Sequence, residues 1–287
     1  MNVAVVTDST AYLPPELARE HGIRVVPLHV FVAGHERREG IDITLADLSE
    51  ALRQFRPVTT SRPAPQVFLD LYEELAAAGA DAVVSLHISA EMSGTVQSAQ
   101  LAAAQAPVPV HVVDSRSIGM AMGFAAVSAA QAASGGADAV AVAEVARARS
   151  AAAHVVFYVD SLEHLQRGGR IGLASALLGS ALAIKPILAV LDGRIVARDR
   201  VRTTGKALAR LVELSAAAAD AAERAGQVVD IAVQHLDSVD RAEQLVTTLR
   251  ERVPGAGEIR LGELGAVVGA HVGPGTLAIT VSPRAAS

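Results

Sequence analysis

Short apolar runs alternate with longer stretches of helical spacing along most of the chain, a pattern that predicts alternating strands and helices. Val3 to Val6 is wholly apolar and ends in Thr7-Asp8-Ser9-Thr10. A run this short, bounded by small polar residues, suits a strand buried on both faces. Pro14 and Pro15 fit the start of a helix, where the missing proline N–H costs nothing, and Gly22 fits its end. Ile23 to Val32 predicts a second strand, Ala33 to Ile43 a loop or small ribbon, and Leu45 to Phe55 an amphipathic helix capped by Thr44. Val67, Phe68, Leu71 and Leu75 recur at helical spacing behind Pro65 until Gly79. A strand at Ala82 to Ile88 leads into the helix after Ser93, and a strand at Val110 to Val113 leads into two alanine-rich helices, Ile118 to Ser134 and Asp138 to Ala152.

After the apolar run Val155 to Val159 the texture changes. A short helix, Leu162 to Gln166, ends in Arg167-Gly168-Gly169-Arg170, and a β-hairpin folds Ile184–Leu191 onto Arg194–Arg202 around Asp192-Gly193, a strong turn signal. Helix Thr204–Arg224, strand Val228–Gln234, helix Val239–Arg252 and strand Glu258–Leu261 follow. A glycine-rich segment, Gly265 to Gly275, carries His271 and precedes a last strand at Leu277–Val281. The expected fold is α/β in two domains: residues 1–158, a mostly parallel sheet covered by helices, and 159–287, α/β with a β-hairpin, with the ligand site between them. A chain of 287 residues exceeds the roughly 250 at which single cores tend to split.

Two hydroxyl-bearing stretches sit where helices are expected to start. Ser89-Ala90-Glu91-Met92-Ser93-Gly94-Thr95 follows a strand, and Thr59-Thr60-Ser61-Arg62-Pro63 precedes the helix at Pro65. Backbone N–H groups at a helix start favour a carboxylate or phosphate, and Gly94 lets such a group approach closely. Plain helix caps and turns remain the competing explanation. Apolar runs end in Asp-Ser four times, at Asp8, Asp114, Asp160 and Asp237, and an open parallel sheet brings such strand ends to one edge. Each pair is otherwise a helix cap, and so is the glycine pair before Arg170.

Composition removes several function classes. A net charge of −5 argues against general nucleic-acid binding, which needs a basic face. The one basic concentration is the second hairpin strand, where period-2 alternation puts Arg194, Val196, Arg198, Arg200 and Arg202 on one face, as a docking surface or as a solvated edge. The absence of cysteine excludes disulfides, thiolate metal sites and a cysteine nucleophile, and fits a cytoplasmic protein. No signal pattern opens the chain and no apolar run reaches the roughly twenty residues of a membrane helix, so no stable membrane insertion is expected. Neither a nucleotide phosphate loop, a G-x-S-x-G elbow, a dinucleotide fingerprint nor H-E-x-x-H occurs, and the nine histidines show no metal-ligand spacing. No metal or cofactor is expected.

Thr7-Asp8-Ser9-Thr10, Thr60-Ser61-Arg62-Pro63, Ser89 with Ser93-Gly94-Thr95 and Gln97-Ser98-Ala99, Asp114-Ser115, Gly168-Gly169-Arg170-Ile171, Lys185-Pro186, Asp192-Gly193 and His271 with Gly273-Pro274-Gly275 occur in an order and spacing that resemble the DegV family along essentially the whole chain. The resemblance implies two α/β domains that bind a long-chain fatty acid between them as ligand. It also implies a non-catalytic role, as the acyl-binding subunit that presents the carboxylate to a separate kinase subunit for acyl-phosphate formation. The head-group loops it implies fall on Thr60-Ser61 and Ser93-Gly94, with Arg170 and His271 as further polar residues; Arg62 and Thr95, beside those loops, complete the candidate ligand-binding set, and Arg198, Arg200 and Arg202 of the basic hairpin face are the candidate residues for docking the kinase. Two positions depart from the family pattern: Ala64, often serine, and Arg62, commonly glutamine. The alternatives are a self-sufficient hydrolase or phosphotransferase using Ser93 and His271, and a sensor whose closure reports lipid.

Overall fold

The structure is a computed structural model describing residues 1–54, 56–177 and 184–284. Its first half runs β1 (Val3–Asp8), α1 (Pro15–Glu20), β2 (Arg24–Val26), β3 (His29–Val32), β4 (His35–Arg38), α2 (Leu45–Arg53), β5 (Val58–Ser61), α3 (Pro65–Ala77), β6 (Ala82–His87), α4 (Thr95–Ala103), β7 (Val110–Asp114), α5 (Met120–Ser134) and α6 (Ala139–Ala152). Strands β2-β1-β6-β7 form a parallel sheet in that order. Val5, Val84 and Leu86 point to α5 and α6, while Val6 and Val83 point to α3 and α4, so both faces are covered and the strands are apolar throughout. The alanines have a packing role: Ala125, Ala126 and Ala129 of α5 meet Ala139, Ala143 and Ala146 of α6 in one buried cluster, where small side chains let helices approach closely.

Two expectations fail in this half. Ile23–Val32 is not one strand, because Pro27 lacks the N–H that a ladder needs; β2 stays in the parallel sheet and β3 leaves for a three-stranded antiparallel ribbon, β4-β3-β5. Thr60 and Ser61, expected in a loop, lie on β5 of that ribbon, paired with Val30 and His29. Helix α2 is held by a reciprocal cap between Thr44 and Asp47 and ends at Arg53; Phe55, its expected last residue, lies outside the described residues.

The second half runs β8 (His154–Tyr158), α7 (Glu163–Arg167), β9 (Lys185–Leu191), β10 (Arg194–Val201), α8 (Thr204–Arg224), β11 (Val229–His235), α9 (Val239–Arg252), β12 (Glu258–Glu263), α10 (Ala266–Val272) and β13 (Leu277–Pro283). Its six-stranded mixed sheet has the order β10-β9-β8-β13-β11-β12. Strand β8, assigned by sequence to the first domain, pairs with β9 and β13, so sheet membership divides the chain near Ala153 rather than after Tyr158.

Alternation along these strands sorts the sheet into two faces. Val156, Tyr158, Ile187, Ile231, Val233 and Ile279 pack under α8 and α9, each fully buried side chain contributing about 1.5–3 kcal/mol. Phe157, Leu188 and Ala278 face the first half instead and join the core that includes Leu28, Leu48, Val267 and Val268. A buried ion pair clamps the two halves: Arg149 of α6 donates to Asp230 Oδ2 at 2.6 Å and to Ser282 Oγ at 2.8 Å, and Arg284 also pairs with Asp230.

Candidate functional site

Between the two sheets lies a cavity of about 350 Å3. Thr60, Ser61, Arg62, Ser93, Gly94, Arg170 and His271 line it, together with apolar side chains such as Leu28, Ile88, Met92, Ile118, Ile195 and Val268. Met92, Ile118, Ile195, Val268 and Val272 also border a deeper apolar chamber of about 50 Å3 floored by Val155, Phe157, Val190 and Ala278 of the six-stranded sheet. A larger groove of about 940 Å3 outside α2 is lined by charges of both signs and by none of these residues.

Thr60 points inward from β5, and its Oγ1 lies 2.8 Å from His271 Nε2 across 211 positions of sequence. His271 sits on α10, a helix inside the glycine-rich segment; every other residue of its seven is buried, from Ala266 to Ala270 and at Val272, so it is an enclosed, apolar helix rather than an amphipathic one. Its Nδ1 is buried without a partner, against Gly168, where an added Cβ would come within 2.1 Å. Burial, with the nearby Arg170 charge, lowers the His271 pKa to about 4, so the imidazole is neutral at pH 7. A neutral ring carries one N–H, and proton-bearing Nε2 leaves only a lone pair, not a donor, unpaired at Nδ1.

Arg170 is fixed at the mouth by donating through Nε to Met92 O at 3.1 Å and through a terminal nitrogen to Gly168 O at 2.7 Å. Arg62 lies across Gly94, donating to Gln97 Oε1 at 2.6 Å. Ser93 Oγ accepts the Thr95 N–H at 3.3 Å and lies 2.8 Å from Thr95 Oγ1, while the cap position of α4 is Gly94. Thr95 is fully buried and does not line the cavity; it supports Ser93 from behind. Ala64 caps α3 without a side-chain bond. Two guanidinium groups, hydroxyls, a helix start and no acidic lining residue make a mouth suited to an anion, and the apolar interior suits a hydrocarbon.

A family model described as "Uncharacterised protein, DegV family" matches residues 2–284. The chain belongs to the DegV family. It is 51% identical to a DegV domain-containing protein of Streptomyces coelicolor, over 99% of both chains, and 36% identical to protein DegV of Bacillus subtilis, over 97% of this chain and 98% of that one. Among solved structures, a fatty-acid-binding DegV family protein from Thermus thermophilus superposes with a TM-score of 0.90 at 36% identity, covering 99% of this chain and 100% of its own. DegV of Bacillus subtilis, described as a fatty acid binding protein, superposes with a TM-score of 0.89 at 35% identity and the same coverage.

Other sequence-derived candidates of this DegV-family chain lie elsewhere. The four Asp-Ser pairs do not share a cleft: Asp160 and Asp237 line one outer groove, Asp114 another, and Asp8 is fully buried. They end strands of two differently placed sheets, so the one-edge rule does not unite them. The basic face of β10 is split by a β-bulge between Ala197 and Asp199, which returns Asp199 to the side of Val196 and moves Arg200 to the other. Arg198, Arg200 and Arg202 are exposed and enter no ion pair among the described residues, whereas Arg194 pairs with Glu91 and Arg210 with Asp199.

Two buried networks gave no sequence signal strong enough to single them out. Tyr72 donates to Ser85 Oγ at 2.8 Å, Ser85 Oγ lies 2.7 Å from His87 Nε2, and His87 Nδ1 lies 3.0 Å from Asp8 Oδ2, all four side chains fully buried. The spacing is that of a serine hydrolase triad, but no described cavity touches it; polar residues at alternate positions of an otherwise apolar strand were the available hint. In the second, the buried Glu39 carboxylate accepts from Ser9 Oγ, from Tyr12 Oη and from the Val267 N–H, while Tyr12 Oη accepts the Val268 N–H. This network fastens the start of α10, four residues before His271. Among the described residues, no group of ligating side chains could hold a metal ion, and no helix is long and apolar enough to cross a membrane.

Proposed function

We propose that this DegV-family chain binds a long-chain fatty acid in the cavity between its sheets. The carboxylate sits against Thr60-Ser61 and Ser93-Gly94, between Arg62 and Arg170, and the tail runs into the apolar chamber. One observation carries this reading: an anion-suited mouth without acidic residues opens directly onto an apolar interior. Fatty-acid binding by the Thermus and Bacillus relatives supports it. Each buried methylene contributes about 0.8 kcal/mol, so the tail supplies most of the affinity and the polar groups orient the head. With Nε2 protonated, His271 donates to Thr60 and turns the threonine hydroxyl proton toward the carboxylate.

The bound acid is then presented at the exposed mouth to a separate kinase subunit, which forms the acyl phosphate, with Arg198, Arg200 and Arg202 as the docking charges. Such a carrier works in the cytoplasm, where its nucleotide-using partner acts. The chain itself is not catalytic in this scheme. Ser93 Oγ engages Thr95 and His271 Nε2 engages Thr60, so the hydrolase alternative lacks a paired nucleophile and base. Native mass spectrometry of the purified protein, followed by denaturing extraction, is expected to find one fatty acid per chain. Ser93→Ala should reduce its retention about tenfold; unchanged retention, or turnover of an acyl ester by the protein alone, would overturn the proposal.

A further inference from the structure

The apolar chamber has a second neighbour besides the mouth cavity. An outer groove of about 710 Å3 is lined by the end of α6, the segment after β7 and the β9–β10 hairpin. Among the described residues around the chamber, only Val155 and Val190 also line that groove, and no residue of the mouth cavity does. Mouth, chamber and groove therefore follow one another in line, and the last step is closed by two valines.

Val155 of β8 and Val190 of β9 are cross-strand partners. Alternation puts their side chains on the sheet face that carries Phe157 and Leu188, toward the first half of the chain, so they stand side by side between chamber and groove. Valine is branched at Cβ and stiff at χ1, which makes the pair a firm barrier rather than a swinging one. From the first half, the connection between β7 and α5 spans the same boundary: Ser117 lines the groove and the next residue, Ile118, lines the chamber. Ser117 O accepts from the Ser89 N–H at 3.0 Å and from Ser115 Oγ at 3.1 Å, and the Ser117 N–H donates to Ser115 Oγ at 3.1 Å. The partition is thus a hydrogen-bonded loop on one side and two aliphatic side chains on the other. The chamber, at about 50 Å3, takes only the end of a tail. The groove behind it offers Ala151, Ala153 and Leu191 as apolar contacts within a rim of Arg116, Arg147 and Arg198.

We propose that Val155 and Val190 set the upper limit on acyl-chain length: the methyl end of the tail stops against this pair, which bars a longer chain from the groove. This rests on the fatty-acid reading above and adds two specificity-determining residues at the far end from the carboxylate.

The test uses delipidated full-length protein and the straight saturated acids of even carbon number from dodecanoic to docosanoic, each competed against a fluorescent fatty acid. Affinity should climb by about tenfold for each added pair of methylenes, reach one optimum, and fall by about tenfold at the next acid. In Val155→Ala/Val190→Ala, which opens the wall, the optimum should move up by at least one pair of carbons. In Val190→Phe, which fills the chamber, it should move down. Each shift is a ratio among acids within one protein, so a general loss of packing does not produce it. Affinity that climbs through docosanoic acid with no optimum overturns the proposal, as does an optimum that stays in place in either folded variant. If the double variant does not fold, Val190→Phe decides. Failure of every acid to bind would instead sink the fatty-acid reading, and this inference with it.

Discussion

Glu39 and Val267 meet where the three-stranded ribbon touches α10: Oε1 of the buried carboxylate accepts the Val267 N–H at 2.7 Å, across 228 positions of sequence. Burial, reinforced by the neighbouring Asp8 charge, pushes the Glu39 pKa up to about 7, although bonds from Ser9, Val267 and Tyr12 pull it back. A carboxyl raised above its ordinary 4.5 binds a proton more tightly folded than unfolded. Its stabilising effect is therefore complete below about 4.5 and is lost as pH rises through 7. Glu39→Gln keeps an acceptor for Val267 and removes the charge. Relative to the parent protein it should gain about 2 kcal/mol between pH 5 and pH 8, read from urea midpoints at the two pH values.

His271 carries the opposite dependence. Its folded pKa of about 4 lies below the ordinary 6.5, so on acidification the unfolded chain takes up a proton first. Stability should fall as pH drops from 6.5 toward 4, by on the order of 3 kcal/mol from this group. Glu39 gains over part of the same window, so the measurement is a difference between the parent and His271→Gln at each pH. The variant should lose the acid-side decline attributable to residue 271.

Two glycines beside the cavity should respond differently to alanine. At Gly168 the new methyl would come within 2.1 Å of His271 Nδ1, a rigid ring already buried, and must displace it from Thr60. At Gly94 the methyl would meet the end of Arg62, a long side chain that can swing out to solvent. Gly168→Ala should cost about 1–3 kcal/mol of stability and lower fatty-acid retention, whereas Gly94→Ala should leave stability within about 1 kcal/mol. Thermal unfolding with parallel extraction of bound lipid checks both.

The clamp between the halves should be asymmetric. Arg149→Ala leaves Asp230 paired with Arg284, whereas Asp230→Ala leaves the Arg149 guanidinium, only 7% exposed, facing Ser282 without a counter-charge. Asp230→Ala should therefore cost about 3–5 kcal/mol and Arg149→Ala less. Chemical denaturation of the two variants should give that order.

Much of the parallel half was legible because strands covered on both faces are uniformly apolar and are punctuated by turn residues, as at Val3–Val6 and Ala82–Ile88. What escaped depended on single residues acting against a pattern. Pro27 interrupts an apolar run by removing one N–H, and a bulge at Arg198 breaks a two-residue period that assumes a regular ladder. Helix α10 is short and enclosed, so it has no periodicity to stand out between glycines. The hydroxyl stretches were visible as residue types, but that Thr60 meets His271, or that Val155 and Val190 border the same interior, follows only from how strands far apart in sequence are paired.

The Ser85–His87–Asp8 arrangement carries a lesson for anyone sorting proteins by the spacing of three side chains. A template built on those distances would retrieve this molecule as a peptidase, yet a fluorophosphonate probe has no path to the serine, and Tyr72 already occupies its oxygen. Depth, rather than arrangement, separates a reagent from a rivet here, and the same three residues brought to a surface would have to be judged anew.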